Sequence, residues 1–183
     1  MNLGTLKPDA KSETVILVDN AGAPIGIALK QSVHSFSTPL HLAFSCYVFN
    51  PQGQVLITRR SLAKATWPGV WTNSLCGHPL PGEDPDEAVR RRAQLELGLD
   101  LLQLEVVAPE FRYRATDASG IVENELCPVY RATTASQPVP NPDEVMEFVW
   151  ADLAQLQRAA KDAPWAFSPW MVLQLRELAA HDD

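Results

Sequence analysis

The chain has few cysteines, no long apolar run and no concentrated positive charge. Its 183 residues include three cysteines, Cys46, Cys76 and Cys127, and no C-x-x-C pair. An odd and sparse set argues against a disulfide framework and favours a reducing compartment. We therefore expect a cytoplasmic protein.

No segment approaches the roughly 18 apolar residues that a membrane helix requires. The best candidate, Leu40 to Phe49, has the length of a strand and is interrupted by His41 and Ser45. The first residues contain no apolar signal core, so nothing in them indicates export. We expect no membrane span.

Basic residues are too few and too scattered for a broad nucleic-acid footprint. The formal net charge is −7, whereas nucleic-acid binding needs a positive patch or stripe. We expect no nucleic-acid partner. An anionic small molecule would have to be held by a local basic cluster or by a metal, because the overall field is repulsive.

Length and composition suit one well-buried domain. The chain is 46% hydrophobic and 20% charged, which is ordinary for a globular protein. No repeat or composition shift marks a second domain. We predict a single α+β domain over residues 13–180, preceded by a flexible tail at residues 1–12.

Turn residues and apolar periodicity divide the chain into strands and helices. The predicted strands are Thr14–Asp19, Pro24–Leu29, Leu40–Phe49, Gln54–Arg59, Trp71–Cys76, Val106–Arg114, Ile121–Thr133 and Glu144–Trp150. The predicted helices are Asp84–Gly98, Asp152–Ala160 and Pro169–Ala180. The proline-rich segment 135–142 is predicted to be a loop.

A thiol and an imidazole lie two residues apart in the run from Thr72 to Pro79. In an extended strand Cys76 and His78 face the same side. The pattern that begins at Gly77 continues with Glu83, Arg91 and Gly98. It resembles the Nudix box, G-x5-E-x7-R-E-U-x-E-E-x-G-U, which presents carboxylates to a divalent cation bound to a diphosphate; Mg²⁺ prefers such oxygen ligands.

Two positions depart from that box. Arg92 stands where a glutamate is expected, and Leu95 replaces the first glutamate of the metal-binding pair, so only Glu96 remains. This loss predicts that diphosphate binding is kept and hydrolysis is not. The alternative is a solvated amphipathic helix in which Arg92 and Glu96 form an i,i+4 pair worth a few tenths of a kcal/mol.

A second set of residues offers ligands for a transition metal. It comprises His34, His41, His78, Glu123 and Glu125. The two glutamates are i,i+2, so a strand projects both from one face. Imidazoles with carboxylates suit Zn²⁺, Mn²⁺ or Fe²⁺. No spacing within the set is diagnostic, and each histidine taken alone is equally consistent with a structural role.

The chain resembles the type 1 isopentenyl-diphosphate isomerases, a branch of the Nudix superfamily, from about Val15 to Val172. The segments that carry the resemblance are HLAFS at 41–45, WPGVWTNS at 67–74, CGHP at 76–79, FRYRA at 111–115, ENE at 123–125 and WAFSPW at 165–170. The resemblance implies a Nudix-type α/β/α sandwich with a mixed central sheet. It also implies interconversion of isopentenyl diphosphate and dimethylallyl diphosphate, a step in isoprenoid precursor biosynthesis.

The same resemblance implies roles for particular residues. Cys76 and Glu125 correspond to the two acid/base groups, with Tyr113 beside Glu125. The five histidines and glutamates of the second set correspond to a site for Mn²⁺ or Zn²⁺. Glu96 and the backbone carbonyl of Cys76 correspond to ligands of a Mg²⁺ that arrives with the diphosphate. The remaining matches are residues that bind substrate, namely Lys30, Arg60, Lys64, Arg92 and Trp170.

The chemistry agrees with these residue types. Moving the double bond requires a proton to add to the terminal alkene carbon and another to leave C2, through a tertiary carbocation. Such a site needs an acid and a base on opposite faces and no water to trap the cation. Cys76 and Glu125 meet the first need, and Trp170 offers a π-face worth about 1–2 kcal/mol to the cation. No redox cofactor is needed.

Three other functions remain open at this point. A Nudix hydrolase of nucleoside diphosphates would need the carboxylates that Arg92 and Leu95 replace. A non-catalytic module that binds metal or diphosphate would bind without turnover. A cysteine hydrolase would use Cys76 with His78, although no oxyanion site is apparent.

For the assembly we expect a monomer or a weak dimer.

Overall fold

The computed structural model describes residues 13–181, so the predicted tail at 1–12 lies outside the described residues. The strands are β1 Thr14–Val18, β2 Pro24–Leu29, β3 His41–Leu42, β4 Phe44–Phe49, β5 Val55–Arg60, β6 Trp71–Thr72, β7 Leu75–Gly77, β8 Leu104–Ala108, β9 Arg112–Thr116, β10 Val122–Leu126, β11 Val129–Thr133 and β12 Val145–Ala151. The helices are α1 Lys30–Val33, α2 Pro85–Leu97, α3 Leu153–Asp162 and α4 Pro169–His181, with a 3₁₀ turn at Pro164–Ala166.

The strands form two mixed sheets. One has five strands in the order β2-β1-β3-β10-β9; the other has the order β12-β5-β4-β11-β8, with β6 beside β5 and β7 beside β4. The pairs β3–β10 and β4–β11 are parallel, and the other pairs are antiparallel. The α+β class and the mixed sheet architecture are confirmed, with the sheet divided in two.

Two predicted strands turn out to cross from one sheet to the other. The segment predicted as one strand over 40–49 is interrupted at Ala43, and that over 121–133 is interrupted at residues 127–128. The two crossings stay bonded to each other, because Ala43 N–H donates to the Leu126 carbonyl at 2.9 Å and Ser45 N–H to the Pro128 carbonyl at 3.0 Å. Each long segment therefore contributes side chains to both sheets.

The core lies on both faces of the seven-stranded sheet. All six residues of β4 are buried, and their side chains alternate between the faces, as strand geometry requires. Cys46 and Val48 pack in the cluster that contains Leu97 of α2. Tyr47 and Phe49 pack in the cluster that contains residues of α3 and α4. The sheet is thus sandwiched between helices.

Helix α2 begins and ends at the predicted signals. The Asp84 side chain accepts hydrogen bonds from the N–H groups of residues 86 and 87, Pro85 is the first helical residue, and Gly98 adopts φ +60° at the C-terminal end; these are ordinary helix boundaries. Gly77 lets the helix approach β7, because a Cβ there would lie 2.7 Å from both Arg92 Cγ and Phe44 Cζ.

The short helix α1 was not predicted. Lys30, which follows the predicted strand Pro24–Leu29, begins this single turn, which carries the chain toward His34. None of the helices within residues 13–181 combines the length and the apolar character needed to cross a bilayer.

Candidate active site

Strand register places three of the candidate residues side by side. Glu125 on β10 is opposite His41 on parallel β3 and opposite Tyr113 on antiparallel β9. Residues opposite each other in a sheet project from the same face. Accordingly the Tyr113 hydroxyl donates to Glu125 Oε2 at 2.9 Å, and His41 Nε2 lies 3.5 Å from Glu125 Oε1.

The other two histidines, His34 and His78, contact this row of side chains from outside the strands β3, β10 and β9. An isolated bridge between Ser35 and Val122 brings His34 beside Glu123. His78 follows β7 and contacts Glu125 Oε1 through Nε2 at 3.2 Å. Ligand atoms of four residues lie within 4.8 Å of one another, and we call this set the His-Glu group: His34, His41, His78 and Glu125. Glu123, the fifth predicted ligand, lies outside the set but against His34, with Nε2 and Oε2 2.9 Å apart.

Buried polar atoms in this region fit a divalent metal. Within the described part of the chain, His78 Nδ1 is buried without a hydrogen-bond partner, and His34 Nε2, His41 Nε2 and Glu123 Oε2 have only the ion-pair contacts given above, without hydrogen-bond geometry. Such burial is costly unless a ligand satisfies these atoms. His41 Nδ1 contacts the Pro39 carbonyl at 3.0 Å, an outer contact that fixes the ring and directs Nε2 inward. Imidazoles with carboxylates can therefore bind a divalent metal here.

The pKa shifts of two members, His78 and Glu125, favour coordination. Burial lowers the pKa of His78 to about 4, against the opposing effect of Glu125, so its ring is neutral as a metal ligand requires. Burial alone would raise the pKa of Glu125, but the His41 and His78 rings beside its carboxylate outweigh burial and hold that pKa well below its usual range. Glu125 is therefore ionised.

Cys76 lies on the other sheet, in β7. Burial raises the pKa of its thiol to about 11, although its contacts with Ser45 and Asn73 act in the opposite direction. Ser45 Oγ is 3.3 Å from the sulfur, and the thiol donates to Asn73 Oδ1 at 3.3 Å. The thiol therefore retains its proton at neutral pH.

A buried polar network next to Cys76 was not predicted from the sequence. Gln174 Nε2–H donates to Ser45 Oγ at 2.8 Å, and the Tyr47 hydroxyl donates to Gln174 Oε1 at 3.0 Å. The Asn73 amide nitrogen donates to the carbonyls of Cys46 and Leu75 at 3.2 and 2.7 Å. The polar run 72–74 inside a predicted buried strand was the one signal of this network.

Aromatic rings form the apolar wall of the site. Trp170 is 3% exposed; its ring centroid is 5.4 Å from that of Trp67 and 5.6 Å from that of Tyr113. Its Nε1–H donates to Asn73 Oδ1 at 3.0 Å, which fixes the plane of the indole. The Arg60 guanidinium lies 5.5 Å from the Trp170 centroid.

The loop after β5 closes the site with a constrained backbone. Trp67 has a φ of +42°, a conformation that bulky residues rarely adopt and that the surroundings must enforce. Arg60 enforces it by donating to the Thr66 and Trp67 carbonyls at 2.8 and 3.1 Å. The Thr66 hydroxyl donates to Glu123 Oε1 at 2.8 Å, so this loop also orients a predicted metal ligand.

These groups surround one cavity of about 1060 Å³, and Cys76 and Glu125 line it from different sheets. Its lining also includes Tyr113, Trp170 and all four of the predicted basic residues, Lys30, Arg60, Lys64 and Arg92. The structure thus brings the predicted catalytic and substrate-binding residues to one cavity.

Three of the four basic residues are paired with carboxylates. Lys30 contacts Glu13 at 2.6 Å, Lys64 is paired with Glu144 and Arg92 is paired with Glu96. Burial lowers the pKa of Lys64 to about 8. Arg92 and Glu96 are 2% and 6% exposed, so the pair is not the solvated surface pair of the alternative interpretation.

The remaining Nudix-box positions have a structural role here. Arg91 Nε donates to Glu83 Oε1 at 2.6 Å and Arg91 Nη2 to Glu83 Oε2 at 2.8 Å. Glu83 also accepts the Leu80 N–H at 2.8 Å. The bidentate pair therefore closes the loop before α2. Leu95, which stands in place of a ligand, is 43% exposed.

Comparison with known proteins gives a consistent result. The NUDIX domain family matches residues 39–171. The isopentenyl-diphosphate Delta-isomerase of Agromyces mediolanus is 58% identical, over 94% of this chain and 84% of its own length. That of Citrobacter koseri is 56% identical, over 93% and 94%. Among solved structures, a Deinococcus radiodurans protein superposes with a TM-score of 0.70 at 22% identity, over 90% of this chain and 98% of its own, which supports the fold.

Proposed function

We propose, from the premise that the chain belongs to the isopentenyl-diphosphate Delta-isomerase family and carries its NUDIX domain, that it interconverts isopentenyl diphosphate and dimethylallyl diphosphate. The observation that carries the proposal is the placement of Cys76 and Glu125 on different sheets around one aromatic-lined cavity. A five-carbon chain between them would expose one face to each group.

Opposite protonation states suit the reaction. The Cys76 thiol retains its proton while Glu125 is ionised, so one group can give a proton and the other can take one. A proton adds to the terminal carbon C4, C3 carries the positive charge, and loss of a proton from C2 forms the new double bond. In the reverse direction the two groups exchange roles, and no net proton is consumed.

Tyr113 and Trp170 support these transfers. The Tyr113 hydroxyl donates to Glu125 Oε2, so it can hold or pass a proton at that oxygen. Burial and the charge of Glu125 raise the pKa of Tyr113 well above its usual range, which keeps the hydroxyl a donor. The buried Trp170 ring can stabilise charge at C3 and exclude water, which would otherwise trap the cation.

Two divalent metals are part of the proposal. The His-Glu group with Glu123 would hold Mn²⁺ or Zn²⁺, and Glu96 with the Cys76 backbone carbonyl would hold Mg²⁺ together with the diphosphate. Bound metal supplies positive charge that orients carboxylates and tunes their acidity. The diphosphate would be bound by the four basic residues of the lining, Lys30, Arg60, Lys64 and Arg92.

We also propose a cytoplasmic location and a monomer or weak dimer.

A direct test is an assay of purified protein with isopentenyl diphosphate and Mg²⁺, followed by proton NMR. We expect the dimethylallyl methyl signals to appear without release of phosphate. Release of phosphate from this substrate, or from nucleoside diphosphates, would instead identify a hydrolase. Binding without any conversion would identify a passive module.

A further inference from the structure

The diphosphate end of the cavity carries as many acids as paired bases. We call this set the charged mouth: Glu13, Lys30, Lys64, Arg92 and Glu144 of the cavity lining, together with Glu96, which is paired with Arg92 and is not part of the lining itself. All of its side chains are less than one-third exposed. Glu96 and the three bases were identified from the sequence, but Glu13 and Glu144 were not. Glu13 precedes β1, and Glu144 precedes β12.

The two further glutamates engage every base of the charged mouth. Glu13 contacts Lys30 at 2.6 Å and Arg92 at 3.6 Å. Glu144 is paired with Lys64 and contacts Arg92 at 3.3 Å. With Glu96, which also contacts Arg92, three cations face three anions. Arg60 and Arg91 also line the cavity, but the Arg60 guanidinium donates to backbone carbonyls and Arg91 is paired with Glu83.

This balance makes a bare diphosphate a poor ligand. To contact Lys64 or Lys30, its oxygens must displace a carboxylate that is itself largely buried. The displaced carboxylate would then have lost its basic partner and would lie beside the negatively charged diphosphate. This is strongly unfavourable in a partly desolvated site. A diphosphate that carries a divalent cation brings positive charge that can satisfy both the carboxylates and the phosphate oxygens.

We propose that Glu13 and Glu144 are specificity residues that make diphosphate binding depend on a divalent cation. They neutralise Lys30, Lys64 and Arg92 until a cation arrives with the ligand. This inference rests on the proposed diphosphate substrate. It predicts that removing either negative charge strengthens the binding of metal-free diphosphate and weakens the dependence on metal.

The experiment measures binding of inorganic pyrophosphate by isothermal titration calorimetry, with excess EDTA or with Mg²⁺. The variants are Glu144→Gln and Glu13→Gln, which keep side-chain volume. The matched control is Glu147→Gln, whose carboxylate pairs with the half-exposed Arg59 outside the cavity lining. Circular dichroism and thermal melts confirm that each variant is folded, and the two independent positions guard against a folding defect at one of them.

In Glu144→Gln and Glu13→Gln we expect metal-free pyrophosphate to bind about tenfold more tightly or better, with a change of less than about threefold in Mg²⁺. Glu147→Gln should match the parent in both conditions. An unchanged ratio of the two dissociation constants would overturn the inference and leave the isomerase proposal intact. If the parent binds no pyrophosphate under either condition, the diphosphate site itself is wrong and both proposals fall.

Discussion

The Asn73 amide makes hydrogen bonds on both of its ends. Its oxygen accepts from Thr72, Cys76 and Trp170, and its nitrogen donates to two backbone carbonyls, which fixes the orientation of the amide. One buried side chain thus orients both the thiol and the aromatic ring that line the cavity. Under the proposed function Asn73 is a positioning residue, since it would act through groups that contact the substrate.

Replacing Asn73 by alanine should therefore affect both stability and turnover. We expect Asn73→Ala to lower the free energy of unfolding by about 1–3 kcal/mol, because buried donors and acceptors lose their partners. The kcat for isomerisation should fall while KM changes little, since the diphosphate-binding residues are untouched. Urea denaturation and steady-state kinetics measure both. Asn50→Ala, in the turn between β4 and β5, is the control and should keep kcat; an equal loss of kcat there would refute a specific role.

Lys64 gives the site a pH dependence. Its pKa is lowered to about 8 because burial disfavours the charged form, so the side chain is cationic below that pH and neutral above it. If the charge contacts diphosphate, kcat/KM should fall as pH rises through about 8. In Lys64→Arg the charge persists, because arginine stays protonated, and the decline should move to higher pH. Identical pH profiles for parent and variant would exclude Lys64 as the cause.

At the scale of elements, α2 is fixed to the sheet by a close contact at Gly77. This contact holds Arg92 and Glu96 over β7, next to Cys76. The space is so restricted that a methyl group would overlap both the helix side chain and Phe44. The Nudix-like glycine is therefore needed for close packing of a helix on a strand, and its φ is not in the left-handed region.

We predict that Gly77→Ala separates α2 from β7. The expected loss is about 1–3 kcal/mol of unfolding free energy, the usual cost of overpacking, together with weaker binding of pyrophosphate with Mg²⁺. Gly26→Ala is the control, because its nearest neighbour to a new Cβ is 3.8 Å away, and it should change stability by less than about 0.5 kcal/mol. Equal stability of the two variants would contradict this role of Gly77.

The elements also show what sequence reasoning can reach. The bounds of α2 were predictable, because the Asp84 cap, Pro85 and Gly98 act locally. The division of the predicted strand at Ala43 was not, because apolar residues continue across that point. At residues 127–128 the sequence does carry a local signal, since Pro128 cannot donate to a sheet ladder. Which sheet a strand joins is decided by distant partners, here the two crossing segments bonded to each other.

The candidate site likewise contains some residues that could be predicted from the sequence and others that could not. The resemblance supplied the residues proposed as catalytic, metal-binding and basic; some, such as Cys76 and Glu125, lie in short motifs, whereas others, such as Lys30 and Lys64, lie outside them. It did not reveal Ser45, Asn73 or Gln174, since a buried polar residue in a strand looks like any other until its partners are known. The pairing of Glu13 and Glu144 with the basic residues was equally invisible, because residues from opposite ends of the chain meet only in the folded structure.

At the scale of the whole molecule, the His-Glu group joins parts of the chain that are far apart. His34 follows α1, His41 lies in β3, His78 follows β7 and Glu125 lies in β10. A shared metal would therefore link both sheets. A ligand that binds only the folded state stabilises it by an amount set by its concentration relative to Kd. The fold should therefore be more stable with metal than without it.

We predict that adding Mn²⁺ or Zn²⁺ to chelator-treated protein raises Tm. At a metal concentration of 100 Kd the gain is about 2.7 kcal/mol, or roughly 5–10 °C for a chain of this size. His78→Ala should abolish the shift, whereas His181→Ala, which changes the one histidine outside the group, should keep it. Differential scanning calorimetry measures the effect. No shift in the parent, or an undiminished shift in His78→Ala, would contradict the assignment.

The central claim is that Cys76 and Glu125 transfer protons at carbon, on opposite faces of the substrate. The most direct measurement is incorporation of deuterium from heavy water into the two isomeric diphosphates, followed by NMR. The account predicts incorporation at C2 and C4 in the parent, and a decrease of about 10²–10⁴-fold in both Cys76→Ala and Glu125→Gln, with Cys46→Ala and Glu147→Gln unaffected. Undiminished incorporation in either active-site variant, or none in the parent, would contradict it.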